Sequence, residues 1–73
     1  MEIAKNKFIK NLKRLRVERG MTQYELGLKC GLGTPKAAGS KISSYEHGRY
    51  SPTFKTIDLI CKALDIQTHE LFE

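Results

Sequence analysis

Apolar residues recur along this 73-residue chain at helical spacing, not strand spacing. Phe8, Leu12 and Leu15 fall at i, i+4 and i+7, with Ile9 and Val17 alongside. They predict a first helix from about Lys7 to Arg19 whose other positions are cationic. Gly20 stops it, as a residue free to take positive φ commonly does. Thr22 and Glu25 then have the spacing of a capping box, in which each side chain satisfies the other's orphan backbone N–H. Leu26 and Cys30 carry the inward face of this second helix as far as Gly31. Gly27 inside it costs about 1 kcal/mol relative to alanine, and close approach by another helix is the expected reason for it. Thr34-Pro35 marks the next start, Thr as N-cap and Pro where its missing N–H costs nothing. Ala38, Ile42 and Tyr45 give the buried edge of a third helix ended by Gly48. Gly39-Ser40 admits an alternative, a loop to Gly39 and a short helix capped by Ser40; the longer helix is favoured. Residues 49–52 form a turn, and Ser51-Pro52 opens a fourth helix carrying Phe54, Ile57, Ile60, Cys61 and Leu64 to about Asp65. Thr68 caps a last short helix containing Leu71 and Phe72. The expectation is an all-α, compact five-helix bundle in one domain, residues 1–73. Residues 1–7, poor in apolar side chains, are expected to fray or form a flexible basic arm.

Composition narrows the class. A chain this short lies near the lower limit at which a core without staples holds a fold. With 40% hydrophobic and 29% charged residues it is globular, not disordered. The net +5 is unevenly spread. Residues 1–20 hold Lys5, Lys7, Lys10, Lys13, Arg14, Arg16 and Arg19 against Glu2 and Glu18, a balance of +5. Residues 36–55 hold Lys36, Lys41, Arg49 and Lys55 against Glu46, a balance of +3. Residues 56–73 hold Lys62 against Asp58, Asp65, Glu70 and Glu73, a balance of −3. One end is basic and the other acidic, which suggests a polyanion on one side, although charge alone names no partner. Cys30 and Cys61 form no Cys-x-x-Cys pair and sit where the helical stripes want small hydrophobes, so both are expected as buried thiols. No stretch suits a signal peptide or a membrane span, and a reducing cytoplasm is the expected compartment.

The stretch Met21–Gly48 reads as two short helices joined by a polar, Gly-rich connector. The second carries small and cationic polar residues suited to base edges and phosphates. A helix-turn-helix reader of DNA is the first expectation. No enzyme is expected: His47 and His69 lack metal-ligand spacing, no Gly-rich loop follows a strand, and no nucleophile–base set can be assembled. Neither a metal nor a cofactor is implied.

An ordered set of motifs carries a resemblance across residues 8–72. Leu12-x-x-Leu15-Arg16, Gly20-Met21-Thr22-Gln23-x-x-Leu26, Gly31, Ile42-Ser43-x-Tyr45-Glu46-x-Gly48, Pro52-x-x-x-Thr56-Ile57 and Ala63-Leu64-Asp65-Ile66 resemble the lambda repressor/Cro-like (XRE-type) helix-turn-helix family. The resemblance implies five helices, with the third entering the major groove. It places Gln23 at a phosphate by its backbone N–H and side chain, with support of the recognition helix as a second role. Gly39, Ser40 and Lys41 match positions that face base edges, Ser44 matches a further reading position, and Ser43 lies beside them. Lys41 can donate to guanine or neutralise phosphate; Ser40 and Ser44 donate or accept and discriminate weakly. Arg49, Tyr50 and Lys55 fall where the family grips the backbone. Arg16 and Glu46 match a partly buried structural ion pair.

The chain departs from the family at two places. Gly27 stands where Ala is usual, and the interval from Gly31 to Ile42 is longer by more than a helical turn. If Pro35 starts the third helix, an extra turn projects Lys36 and Ala37 toward DNA; if Ser40 starts it, residues 32–39 form a loop along a phosphate strand. The resemblance implies a transcriptional regulator, most readily a repressor, binding double-stranded DNA as a homodimer on a two-fold operator. Ile66, Leu71 and Phe72 are candidates for the dimer contact, or they close the core. The alternative is an antitoxin-type module that holds a toxin or other protein partner, with the acidic segment Asp65–Glu73 as its contact, and autoregulates through DNA.

Overall fold

The structure, a computed structural model, describes the backbone of residues 2–73 and the side chains of residues 6–73. Four α-helices follow one another, α1 (Glu2–Glu18), α2 (Gln23–Cys30), α3 (Pro35–Glu46) and α4 (Phe54–Leu64), before a 3₁₀ turn at Thr68–Leu71. Among the described residues there is no strand, and no helix is long and apolar enough to cross a membrane.

Three boundaries differ from expectation. Helix α1 starts at Glu2 instead of Lys7. Residues 3–7 contain no Gly or Pro and include good helix formers, so the helix that docks through Phe8 continues backward over the expected arm. Met1, the first residue of that arm, lies outside the described residues. The expected fifth helix is a single 3₁₀ turn, because four residues cannot establish a ladder of i→i−4 bonds. Its cap residue is Gln67, not Thr68, and Gln67 N–H donates to Glu70 Oε2 at 2.6 Å. Thr53 caps α4, not Ser51: its hydroxyl accepts from Thr56 N–H at 3.2 Å.

The Thr22–Glu25 box forms, with N···O distances of 2.9 and 3.0 Å. All four helices end alike. A residue two or three beyond each end donates back, Met21 to Arg16, Leu32 to Gly27, Arg49 to Ser44 and Ile66 to Cys61, at 2.9–3.1 Å. The left-handed residue that permits this is glycine at the first three ends, but Asp65 (φ 56°) at the end of α4.

Leu12, Leu26, Ile42, Ile60, Leu64 and Leu71 are fully buried, so every helix and the closing turn contributes to one core. Leu32, which the sequence places in a connector, joins that core. Phe54 does not: it is 92% exposed. It is the first residue of α4, two turns before buried Cys61 on the same side of the helix, at the end that runs past the core. Val17 is likewise outside the core.

The chain end is tied to α1. Leu71 is fully buried, Phe72 stacks on Phe8 with ring centroids 5.9 Å apart, and Ile66 packs on the same cluster. Leu71 thus closes the core, while Ile66 and Phe72 pack on it half-buried. Asn11, buried in α1, donates through Nδ2 to the carbonyls of Leu71 (3.1 Å) and Glu73 (3.2 Å) and accepts from Arg14 (3.2 Å). Arg19 donates through Nε to the Leu64 carbonyl at 2.8 Å, a cation at the negative end of the α4 dipole.

Candidate nucleic-acid interface

The pairing of α2 with α3 rests on the absence of two β-carbons. At Gly27 a Cβ would overlap the Ala38 carbonyl and lie 2.8 Å from the Ala38 Cβ. At Gly39 it would meet the Tyr24 Cα at 3.3 Å. The close approach foreseen for Gly27 is therefore present, and Ala38 is what approaches. Gly39, expected to face base edges, faces α2 instead: it lies three residues before Ile42, on the inward arc, where bulk would hold the helices apart. It offers no side chain to a ligand.

The connector between the helices is short. Gly31 ends α2, Leu32 drops into the core, and Thr34 has the extended backbone of an N-cap with Pro35 as first helical residue. Residues 35–41 thus extend α3 instead of forming a loop. Thr34 caps by backbone geometry alone, without a side-chain hydrogen bond.

An ion-pair network holds the far end of α3. Arg16 donates through Nε to Glu46 Oε2 at 2.6 Å and through Nη2 to Oε1 at 3.3 Å. Its Nη1 donates to the Met21 carbonyl at 2.7 Å. The side chains are 11% and 3% exposed. Gln23 Nε2 donates to the same Glu46 at 3.0 Å. Its amide thus supports α3, while its backbone N–H sits in the first turn of α2. The acidic residue of the 36–55 stretch is consequently buried and neutralised, and the exposed charges of that stretch, Lys36, Lys41, Arg49 and Lys55, are all positive.

Ala38, Ile42 and Glu46 mark the inward arc of α3. Lys36, Ser40 and Ser44 fall on the opposite arc by the 100° step of a helix, with Ser43 at its edge and His47 just past the helix end, and all are exposed or half-buried. Lys41 lies to one side, its stem so close to Gly33 that a Cβ there would meet its Cε at 2.9 Å. Arg49, Tyr50 and Lys55 are exposed where the chain passes from α3 to α4. His47 is the outward residue that motif matching missed. Its spacing from Lys36, Ser40 and Ser43 carried the signal. His47 Nδ1 lies 2.8 Å from the Ser43 carbonyl, which leaves Nε2 as the ring nitrogen available to a ligand.

Neither cysteine belongs to this surface. Burial pushes the Cys30 thiol up to about 11, with Cys61 adding to the effect. Burial also raises Cys61, partly opposed by its contact with Thr68. Protonated thiols are poor nucleophiles. Among the described residues, no group of three His, Cys, Asp or Glu side chains could hold a metal ion.

The chain matches the family model of the Cro/C1-type HTH DNA-binding domain over residues 11–73. No curated protein and no solved structure matches the chain.

Proposed function

The chain belongs to the Cro/C1-type helix-turn-helix DNA-binding domains, and on that premise we propose that it is a sequence-specific regulator of transcription. It seats α3 in the major groove of a two-fold operator and acts as a repressor, since a domain across the groove excludes other proteins from it. One observation carries the reading: α3 presents Lys36, Ser40, Ser43 and Ser44 outward, with His47 just past its end, while the opposite arc is fixed to α1 and α2. Rigid support of this kind lets short side chains read base edges, because their reach is set by the helix and not by their own rotamers. Lys36 and Lys41 combine base contact with charge neutralisation. The backbone N–H of Gln23, at the N-terminus of α2, meets a phosphate; Arg49, Tyr50 and Lys55 hold the backbone beyond α3.

Selection of bound duplexes from a random-sequence pool tests this. The expected result is one enriched motif in two copies, one helical turn or about 34–36 Å apart. Binding should weaken steeply with salt, with a log–log slope of about −0.9 per phosphate neutralised. A pool that shows no enrichment, or affinity that does not change with salt, would overturn the reading.

A further inference from the structure

The geometry points to a second binding surface, the outer face of α1, whose occupant is an acidic amphipathic helix of a partner protein. The largest positive balance in the chain lies at residues 1–20, and reading DNA through α3 does not use it. Two of those cations turn inward, Arg16 to Glu46 and Arg19 to the Leu64 carbonyl. Arg14 is exposed and paired with Glu18 at 3.0 Å. Lys10 and Lys13 are exposed, and no carboxylate among the described side chains pairs with either.

The face is apolar as well as cationic. Lys10, Lys13, Arg14 and Val17 fall at i, i+3, i+4 and i+7, one stripe on the side away from buried Leu12 and Leu15. Val17 is 58% exposed within it. Ile9, half-buried, adds a second apolar position, and an open trough runs over these residues to Glu46 at the end of α3. Ile9 and Val17 lie about 12 Å apart along the helix. A partner helix laid on α1 meets them with apolar side chains two turns apart, and carboxylates between these reach Lys10 and Lys13. Such complementarity draws in an acidic segment and rejects a basic one.

Other occupants fit less well. Glu46 marks the inward arc of α3 and is held by Arg16 of α1, so α1 stands on the side of α3 that a duplex on the outward arc leaves free. A duplex would offer phosphates to the lysines but no aliphatic chain to Ile9 and Val17. A small amphiphile would stay largely in water, whereas small-molecule sites bury most of their ligand. The surface itself does not depend on the operator reading; only its accessibility on DNA does.

The test selects displayed helical peptides about four turns long against the chain, with random-sequence duplex in excess to mask the cations of α3. Enriched peptides should carry two apolar residues about seven or eight positions apart, with Asp or Glu between them. One such peptide, made synthetically and followed by fluorescence anisotropy, should bind the free chain and its DNA complex alike. Val17→Glu, and Lys10→Glu with Lys13→Glu, should each weaken it roughly tenfold or more, while melting temperature and duplex affinity hold. The same peptide with its carboxylates changed to lysine should prefer the double variant, an exchange that a loss of fold cannot produce. No enrichment of acidic peptides, or an enriched peptide indifferent to Val17 and both lysines, would overturn the inference. Displacement of the peptide by duplex would assign the face to DNA, and self-association abolished by Val17→Glu would assign it to a second copy; either overturns it. A chain that binds no duplex would instead overturn the operator reading and leave the peptide result standing.

Discussion

Gly27 can change only by gaining atoms, and the Ala38 backbone already occupies the space a first added carbon would need. Gly27→Ala, which in an open helix would gain about 1 kcal/mol, is expected instead to destabilise by about 1–3 kcal/mol through overpacking. In a domain of this size each kcal/mol lowers the melting temperature by roughly 4–8 °C, so a thermal melt would show it. Glu46 presents the opposite case, a side chain whose removal strands others. Glu46→Ala leaves Arg16 and Gln23 without their acceptor, and a loss of about 3–5 kcal/mol is expected. Replacing Arg16 and Glu46 together with Met and Leu should cost much less, because no unpaired charge remains. A denaturant double-mutant cycle reads the difference. The pair was legible in the sequence from its family positions. Support of α3 by Gln23 was foreseen as a second role, but not Glu46 as its partner, because nothing in a sequence says which of two acceptors, phosphate or carboxylate, will be closer.

At the scale of elements, starts and stops were more legible than faces. Thr22–Glu25 and Thr34-Pro35 announce helix starts by local chemistry, and the structure places both where that chemistry requires. Phe54 was misread because its spacing to Ile57 and Cys61 is helical, and spacing does not say that the first residue of α4 lies beyond the end of the core. Leu32 was misread for the converse reason: a lone leucine in a Gly-rich connector has no period, and only the packing of α2 on α3 shows where it goes. The end of α4 offers a prediction of its own. Asp65 holds a left-handed conformation that glycine adopts without strain, so Asp65→Gly should stabilise the fold by about 0.5–1 kcal/mol, measured by denaturant midpoint at unchanged slope. At α3, Lys36→Ala and Ser40→Ala should alter the preferred sequence in a selection experiment, by about 1–3 kcal/mol for each well-made base contact. If both leave the selected motif untouched, the outward arc is not the reading surface.

Across the whole molecule, electrostatic and structural roles separate. The cations from Lys36 to Lys55 project, while Arg16 and Arg19 turn inward to bind Glu46 and the end of α4. Arg49→Ala should therefore weaken binding to every duplex alike and make the salt slope shallower by about one, without affecting stability. Asn11 was wholly illegible. It is a polar residue inside an apolar stripe, and only the folded chain brings the Leu71 and Glu73 carbonyls to its amide. Asn11→Leu should cost about 1–3 kcal/mol, because those carbonyls lose their donor.

The two arcs of α3 have a consequence for how such a protein changes over time. Stability is written on Ala38, Gly39, Ile42 and Glu46, and on the proposed reading recognition is written on the residues between them, which are exposed or half-buried. A library randomised at Lys36, Ser40, Ser43 and Ser44 should yield mostly folded proteins, since surface substitutions generally shift stability by less than about 0.5 kcal/mol. The same library at the inward positions should yield few. New operators are then reachable by single substitutions that leave the fold in place, so a duplicated copy of this chain could diverge in target without first being rescued in stability.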